Sequence, residues 1–526
     1  MTPSSYPPAP YRTALGARHR QAALITNRSA GMPYETKSTA MRGTKIVATL
    51  GPSTDDPQVL NDIIAAGVNV VRLNFSHGAL EAHRARIAQV RAAAIANGAW
   101  VGIMGDLQGP KIRIDRFRDG KVSLNPGDAF TLDGDCAPDA GDRQRVGIAY
   151  KTLPNDVTVG DTLMLDDGHI VMTVEAVDGP RIHCRVVVGG ELSDSKGINK
   201  QGGGLSAAAL TDKDRADIRH AAELGVDFLA VSFPKTAADI EQARALMHAA
   251  GGQAGIVAKI ERTEAVDNIG EIIDAADVVM IARGDLSVEI GDAELPGVQK
   301  MICRMARSMD KAIITATQMM QSMVDNPMPT RAEVLDVANA VMDGTDAVML
   351  SAETAVGDYP VQTIQAMDRV CSAAEKHPPS FRFIEQNHPT EYRRVDEAIA
   401  KTAIRMAEKL GVKAIAALTE SGATVRWMSR PLSSVPIYAM TRHQNTLRRM
   451  TMYRGVQPVL LNQQFKAHAL ANRRAIDTLR RIDAVDDDDL VIITKGDFLG
   501  AHGGTNAMKI VSVGHLPDPR HVQIDA

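Results

Sequence analysis

The sequence lacks a large net charge, a long apolar run and a cysteine framework. Its 526 residues include 59 lysines and arginines and 63 aspartates and glutamates, a net charge of −4. Binders of nucleic acids or anionic membranes usually carry a basic surface, so we expect neither kind of partner. The apolar runs are too short to cross a bilayer. The four cysteines never stand at C-x-x-C spacing, which argues against a zinc knuckle or disulfides and favours a reducing, cytoplasmic compartment.

Residues 1–41 differ in composition from the rest of the chain. They hold a single acidic residue, Glu35, beside several prolines and arginines: Pro3, Pro7, Pro8, Pro10, Arg12, Arg18, Arg20 and Arg28. The apolar core of a secretory signal is missing, whereas an acid-poor, arginine-bearing start is typical of organelle transit peptides. A disordered extension, or a start codon placed too early with Met32 or Met41 as the true start, explains the composition as well. We favour these last two interpretations.

From Gly43 onward, a short apolar run followed by a helical segment recurs eight times. The runs span 45–51, 69–76, 100–106, 228–233, 255–261, 277–285, 312–318 and 346–354. Nearly continuous apolarity is typical of parallel strands that are covered on both faces. Helices are indicated at 86–98, after a cap at Thr211, and after the capping box Thr330–Glu333. Eight such units predict an α/β fold, a (β/α)8 TIM barrel.

Polar side chains stand at the carboxyl ends of these runs, where barrels of this kind place their active sites. The residues are Thr49, Arg72, Asn74, Asp106, Lys259, Glu261, Asp285, Thr317 and Glu353. One or two polar residues at strand ends are routine. A whole ring that contains lysine, arginine and paired carboxylates predicts an active site.

Two further segments do not fit the barrel pattern. About a hundred residues separate the third and fourth runs, with short alternating strands and turn signals such as Pro126-Gly127 and Asp167-Gly168. We interpret 111–210 as an inserted small β-barrel lid domain that excludes water from the barrel, which is formed by 42–110 and 211–388. Residues 389–526 alternate helix and strand again and predict a C-terminal α/β domain.

The ring predicts metal-assisted chemistry at an anionic centre. Glu261 and Asp285 follow adjacent strands, and a carboxylate pair without His or Cys suits Mg²⁺ rather than zinc. Lys259 stands two residues before Glu261 and so points to the same face, where its charge suits a phosphoryl group or an enolate. Three more residues fit: Arg72 as a phosphate fork, Gly284 for close backbone approach, and Thr317 as a hydroxyl in a proton relay. Walker A and protein-kinase signatures are absent.

Several long motifs are similar to those of one enzyme family. They include TKIVATLGPST, NVVRLNFSHG, GDLQGPKIR, KGIN, AKIE, ARGDLSVEI, ATQMMQSM, NPMPTRAEVLDVANAVMDGTDAVMLSAETAVGDYP and a C-terminal GG-TN segment. From about Arg42 to the end, the chain resembles the pyruvate kinases. The resemblance implies phosphoryl transfer from phosphoenolpyruvate to ADP, giving pyruvate and ATP in the final step of glycolysis. It also implies Mg²⁺, with Mn²⁺ as a substitute, and a homotetramer.

The resemblance implies a role for each matching residue. Positions that contact phosphoenolpyruvate match Arg72, Lys259, Gly284, Asp285 and Thr317, and the Mg²⁺ ligands match Glu261 and Asp285. In the family the matching lysine stabilises the phosphoryl group in flight, and the threonine is tied to protonation of the enolate. Nucleotide-side positions match Pro52, His77, Arg113 and Lys196, the last of these on the lid.

The sequence departs from the K⁺-dependent members of the family at the monovalent-cation site. Asn74, Ser76 and Asp106 match K⁺ ligands, but the threonine that follows the aspartate is Leu107 here. Lys111 stands where those members usually carry glutamate. Two positive charges ~4 Å apart repel by up to ~4 kcal/mol at an effective dielectric constant of ~20. We predict that the Lys111 ammonium replaces the ion and that K⁺ is not required; the alternative is a solvated lysine at the lid hinge.

Two further departures lie outside the cation site. Ser287 stands in place of the usual glycine, close to Asp285, and we expect the change to be tolerated. The segment 419–424 follows a strand and precedes a helix, an arrangement that binds phosphate, although Ala423 replaces a larger residue. We predict an activating phosphorylated effector, a sugar phosphate or AMP, bound by Thr419, Ser421, Gly422 and Thr424. An unoccupied turn is the alternative.

Two other functions remain as rivals. A lyase or aldolase that makes a pyruvate enolate would also pair Glu and Asp around Mg²⁺, but it would not need the lid, Lys196, Pro52 or Arg113. A non-catalytic binding protein on a retained kinase scaffold would not need all four of Lys259, Glu261, Asp285 and Thr317. Turnover that depends on ADP separates the kinase from both.

Overall fold

A computed structural model of the protein describes residues 42–377, 392, 394–462, 468–497 and 504–516. The predicted extension 1–41 lies outside these residues, as does most of the stretch around the predicted domain boundary at 389. The three interpretations of the extension therefore stay predictions.

The first three predicted runs form strands. They are β1 (Lys45–Thr49), β2 (Val70–Asn74) and β3 (Gly102–Asp106), joined by α1 (Pro57–Ala65) and α2 (Leu80–Ala96). Helix α2 begins six residues earlier than the predicted start at 86. Its first turns carry mostly exposed residues, so the apolar periodicity that marked the helix begins only after it has started.

The insertion after β3 folds into short strands around a core of its own. Its elements are β4 (Lys121–Leu124), β5 (Ala129–Asp133), β6 (Arg145–Gly147), α3 (Leu153–Asp156), β7 (Thr162–Leu165), β8 (Ile170–Asp178), β9 (Arg181–Val188), β10 (Gly190–Ser193) and β11 (Ile198–Lys200). Six strands form one sheet in the order β11-β7-β8-β9-β5-β6, and β4 pairs with β10. Single bridges from Arg113 to Gly197 and from Ile114 to Ile148 join the two edges of the larger sheet. The insertion is thus a six-stranded sheet whose edges are linked by isolated bridges, and the small β-barrel expected for 111–210 stays a prediction.

The chain then returns to the main barrel. The elements are α4 (Asp212–Leu224), β12 (Phe228–Val231), α5 (Ala237–Ala249), β13 (Gly255–Ile260), α6 (Thr263–Asp267), α7 (Ile269–Ala275), β14 (Val278–Ala282), α8 (Arg283–Ile290), α9 (Leu295–Ser308), β15 (Ala312–Ala316), α10 (Arg331–Met342), β16 (Ala347–Leu350), α11 (Ala352–Ala355) and α12 (Pro360–Ala374). The eight parallel strands close in the order β1-β16-β15-β14-β13-β12-β3-β2. The predicted (β/α)8 barrel is confirmed. Thr211 and Thr330 cap α4 and α10 as expected.

Two predicted strands are too long at their carboxyl ends. Strand β14 stops at Ala282, and Asp285 lies in the first turn of α8; strand β16 stops at Leu350, and Glu353 lies in α11. Both extensions are polar, and a helix satisfies their backbone groups where the barrel ladder ends.

The last part of the described chain forms a second α/β unit. Its elements are α13 (Val395–Leu410), β17 (Ala414–Leu418), α14 (Ala423–Met428), β18 (Ile437–Thr441), α15 (Gln444–Met450), β19 (Val456–Leu460), α16 (His468–Arg481), β20 (Leu490–Gly496) and β21 (Thr505–Ser512). The sheet order is β19-β18-β17-β20-β21, with only β21 antiparallel. This is the predicted C-terminal α/β domain. No helix in the described ranges is long and apolar enough to cross a membrane.

The C-terminal domain docks on the amino ends of the barrel strands through buried ion pairs. Asp346 precedes β16 and receives two hydrogen bonds from Arg430, of 2.5 and 2.9 Å. Asp227 precedes β12 and pairs with Arg448 of α15 at 2.8 Å. The active-site end of the barrel is therefore left free for the lid.

Breaking the Asp346–Arg430 pair tests this docking. The two side chains are only 2% and 4% exposed, and removal of one partner from a buried pair costs about 3–5 kcal/mol. We expect Arg430→Ala to lower the free energy of unfolding by this amount in urea titrations. The control is Arg185→Ala, whose bidentate pair with Glu175 is about half exposed and contributes less than about 1 kcal/mol. Equal losses in the two variants would contradict the docking role.

Candidate active site

A chain of ion pairs joins side chains from β2, β3 and β13 at the carboxyl end of the barrel. Arg72 donates from Nε to Asp106 Oδ2 at 2.6 Å. Lys259 Nζ lies 3.3 Å from Asp106 Oδ1 and 2.9 Å from Glu261 Oε1. We call these four residues the mouth cluster. Strand alternation explains the arrangement, because Lys259 and Glu261 stand two residues apart at the end of β13, as predicted.

Electrostatics keep both members of the Lys259–Asp106 pair charged. Burial disfavours the ammonium of Lys259, but Asp106 and Glu261 outweigh it and raise the pKa of the lysine. Burial likewise opposes ionisation of Asp106, but Lys259 and Arg72 hold the pKa of its carboxyl below the usual value. The cluster therefore presents fixed positive charge to any anion that enters the barrel mouth.

Glu261 and Asp285 are the residues that fit a divalent cation. Burial raises the pKa of Glu261 to about 7, and the neighbouring Asp285 carboxylate contributes although Lys259 opposes it. A carboxylate pair that repels itself in this way suits a hard cation between the two groups. Within the described ranges, no group of three or more His, Cys, Asp or Glu side chains forms a metal site. A magnesium ion held by this pair would complete its shell with water and substrate oxygens.

Thr317 and Gly284 meet beside this carboxylate pair. The Thr317 hydroxyl accepts the Gly284 N–H at 2.9 Å and donates to the Ala316 carbonyl at 2.7 Å. Thr317 has a φ of +67°, which is a strained conformation for a β-branched residue. The hydroxyl thus contacts the first turn of α8 at Gly284, the residue that precedes Asp285 in the chain.

Comparison with known proteins places the chain in a family. A family model described as "Pyruvate kinase, barrel domain" matches residues 41–364, and "Pyruvate kinase, alpha/beta domain" matches 397–511. The chain belongs to the pyruvate kinase family. Pyruvate kinase II of Salmonella typhimurium is 53% identical over 480 residues, 90% of this chain and 100% of that protein. Pyruvate kinase of Haemophilus influenzae is 52% identical over 463 residues, 87% and 96% of the two chains.

A solved structure supports the same assignment. The crystal structure of a pyruvate kinase from Cryptosporidium parvum has a TM-score of 0.84 and 33% identity, covering 90% of this chain and 96% of that chain. Members of the pyruvate kinase family are phosphotransferases that require a divalent metal ion. The carboxylate pair of Glu261 and Asp285 accords with that requirement.

The positions predicted to bind the nucleotide fall into two pairs. Arg113 and Lys196 lie together in the lid, where Arg113 donates to the Ser195 carbonyl at 2.7 Å and Lys196 pairs with Asp166 at 2.7 Å. Pro52 and His77 are exposed on the barrel, just after β1 and β2. A nucleotide bound by all four would lie between the lid and the barrel.

The residues predicted to match a monovalent-cation site have the following contacts. Asn74 Oδ1 accepts the Ser76 N–H at 3.0 Å, and Leu107 is only 2% exposed. Both oxygens of Asp106 face cations of the mouth cluster. The Lys111 side chain lies beside Gly197 of the lid, and its ammonium has no hydrogen bond or ion pair within the described part of the chain.

Two polar side chains near the cluster, Ser287 and Glu353, form hydrogen bonds with the backbone. Ser287 donates to the Gly284 carbonyl at 3.0 Å, so its hydroxyl is satisfied within α8, in accord with a tolerated change. Glu353 accepts the backbone N–H groups of Met320 and Ser351 at 3.1 and 2.7 Å. These bonds give Glu353 a structural task at the barrel end, and its place in the ring of reactive residues stays a prediction.

The predicted effector turn is held by its own hydroxyl groups. Thr419 Oγ1 accepts the Gly422 N–H at 3.0 Å, and Ser421 Oγ accepts the Ala423 N–H at 3.4 Å. Thr424 Oγ1 lies 2.8 Å from Thr505 Oγ1 and is buried. The turn therefore links β17 to β21, the strand that carries the end of the GG-TN segment.

Sequence reasoning missed Ser232 and Phe233, which follow β12. Ser232 contacts Lys259 at 2.6 Å, and the Phe233 N–H contacts Glu261 Oε2 at 2.8 Å. A polar residue within the last two positions of the fourth apolar run, 228–233, was the available signal.

Removing the charge of Asp106 tests the electrostatic role of the mouth cluster. We expect Asp106→Asn to lower the free energy of unfolding by about 3–5 kcal/mol, because it removes the carboxylate partner of the buried Arg72 and leaves Lys259 paired with Glu261 alone. The control is Asp133→Asn in the lid. Asp133 is also buried between two arginines, Arg145 and Arg181, but both arginines are about half exposed, so water replaces the lost charge and the loss should stay near 1 kcal/mol or below.

Calorimetric and urea unfolding of the two variants gives the comparison. A loss for Asp106→Asn as small as that for Asp133→Asn would show that the mouth cluster does not depend on this carboxylate.

Proposed function

We propose that the protein transfers the phosphoryl group of phosphoenolpyruvate to ADP, giving pyruvate and ATP, as the last step of glycolysis in the cytoplasm. The contact of Lys259 with both Asp106 and Glu261 carries the proposal. It holds a permanent cation beside the carboxylate pair that fits the metal, and phosphoryl transfer depends on such positioned positive charge.

Each residue has a task in this reaction. Arg72 and Lys259 bind the phosphoryl oxygens, and the Gly284 backbone meets the substrate carboxylate. Glu261 and Asp285 hold Mg²⁺, or Mn²⁺ in its place, which supplies charge neutralisation when bound. Lys259 stabilises the phosphoryl group in flight. The Thr317 hydroxyl belongs to the relay that protonates the enolate carbon.

The nucleotide binds between the lid and the barrel. Arg113 and Lys196 contact it from the lid, and Pro52 and His77 contact it from the barrel. A lyase or aldolase would need the carboxylate pair and Lys259 but none of these four positions. A retained, inactive scaffold would have no use for the strained Thr317. These observations favour the kinase over both rivals.

Replacing Lys259 tests the proposed function directly. Wild-type protein with phosphoenolpyruvate, ADP and Mg²⁺ should form pyruvate, and Lys259→Met should lower kcat by about 10²–10³-fold, as the loss of one transition-state charge contact does. Lys300→Met is the matched control, since Lys300 pairs with Asp343 on the outer helices. Folded wild-type protein that forms no pyruvate would move the assignment to the lyase or binding-protein alternatives.

Independence from K⁺ is the second proposal about this reaction. The Leu107 side chain offers no oxygen, and Lys111 brings positive charge to the hinge of the lid. In buffer free of K⁺ and NH₄⁺ we expect full turnover, with less than about twofold activation by added K⁺. Lys111→Glu should lower the K⁺-free rate, whereas Lys151→Glu, the same charge change elsewhere on the lid, should not. Many-fold activation of the wild type by K⁺ would contradict the proposal.

Activation by a phosphorylated effector in a homotetramer is the third proposal. Thr419, Ser421, Gly422 and Thr424 would bind the phosphate, with a sugar phosphate or AMP as the ligand. Initial rates at low phosphoenolpyruvate should rise with the right compound, and Thr424→Val should weaken the activation. Sedimentation should give four chains per particle. A panel of such compounds that changes neither the rate nor the melting temperature would count against the effector.

A further inference from the structure

The ammonium of Lys259 has three donors and three partners. Besides Asp106 and Glu261, it donates to the Ser232 hydroxyl at 2.6 Å, the shortest of its three contacts. A lysine ammonium carries three N–H groups, so each of these three partners can accept one of them. Any displacement of Ser232 would therefore leave one donor of the buried cation without a partner.

Ser232 is itself held in one orientation. It is 1% exposed, and its hydroxyl donates to the Leu107 carbonyl at 2.7 Å. The single hydroxyl proton is used in that bond, so the oxygen offers its lone pairs to Lys259. The Ser232 hydroxyl therefore connects the Lys259 ammonium to the backbone carbonyl of Leu107, just after β3.

The next residue, Phe233, positions the Glu261 carboxylate in a similar way. Phe233 has a φ of +55°, an uncommon conformation for a bulky residue, and its N–H donates to Glu261 Oε2 at 2.8 Å. Its ring packs under the Arg262 guanidinium at 5.3 Å. Two consecutive residues therefore hold the lysine and the glutamate of the mouth cluster.

The hinge of the lid packs against this pair. Gly109 has a φ of +67°, and a Cβ at this position would lie 2.8 Å from Ser232 Cβ and 3.0 Å from the Phe233 ring. The Gly109 N–H also donates to Asp214 at 3.1 Å, at the start of the helix that follows the lid. Both ends of the lid thus meet at Gly109, in direct contact with Ser232.

We propose that Ser232 is a positioning residue that sets the place of the Lys259 ammonium and, through its contact with Gly109, links that place to the hinge of the lid. The inference rests on the proposed phosphoryl transfer. It extends that function, because closure of the lid would then shift the Lys259 ammonium through Gly109 and Ser232. No contact between the lid and the substrate would be needed. Phe233 is a positioning residue for the Glu261 carboxylate in the same sense.

The test compares Ser232→Ala with a matched control, Thr315→Val. Thr315 is fully buried on β15, and its hydroxyl donates to Thr345 and to no other side chain in the described ranges, so its loss reports the general cost of a missing barrel hydroxyl. We expect Ser232→Ala to lower kcat by about 10- to 100-fold, the range for a hydrogen bond to a charged group, with KM for phosphoenolpyruvate within about threefold. Ser232→Thr, which keeps the hydroxyl, should recover most of the rate. Thr315→Val should leave kcat unchanged.

A crystal structure of Ser232→Ala supplies a readout that does not need activity. Lys259 Nζ should move away from Asp106 or Glu261. An unmoved ammonium overturns the positioning role, whatever the rate, and an unchanged kcat does so as well. If the wild type proved inactive, the proposed function would fail, but the displacement of Lys259 would still decide the structural inference.

The link to the hinge has its own control pair. Gly109→Ala forces a Cβ against Ser232, whereas Gly120→Ala meets a similar φ of +76° with nothing within 4 Å. We expect Gly109→Ala to lower kcat at least tenfold and Gly120→Ala to change only the melting temperature. Equal kcat in the two variants would overturn the link.

Discussion

The architecture of the barrel mouth depends on one buried interaction, the contact of Asp106 with two cations. Arg72 and Lys259 would not be stable side by side in a dry site without a charge between them. Asp106 supplies this charge from the end of β3, and β2 and β13 bring the two cations to it. The pairing keeps Lys259 protonated, and a protonated lysine next to a carboxylate pair is what phosphoryl chemistry requires.

The rest of the chain is arranged around that cluster. The C-terminal domain is bound at the opposite end of the barrel through Asp346 and Asp227, which leaves the mouth free. The chain passes from the barrel to the lid at Gly109, next to Ser232, and Ser232 accepts a hydrogen bond from Lys259. The docking contacts therefore lie at one end of the barrel, while the lid connection and the mouth cluster meet at Ser232 at the other end.

The sequence predicted the barrel, the lid and the cluster because each leaves a local mark. Apolar runs mark the strands, and Lys259 and Glu261 are two residues apart, so strand alternation alone brings them together. Glu353 and Asp285 were placed on strands because a short helix after a strand keeps the same composition. The place of Ser232 was not predictable, because its contact with Lys259 spans 27 positions along the chain and depends on a left-handed Phe233 that no pattern signals.

A crystal structure grown with Mn²⁺ and phosphoenolpyruvate, with the metal located by its anomalous signal, tests the central claim most directly. The account predicts one Mn²⁺ bound by Glu261 and Asp285, with Lys259 still on Asp106 and Ser232 and turned toward the phosphoryl oxygens. A metal bound without either carboxylate, or a Lys259 side chain that leaves Asp106 when substrate binds, would contradict it.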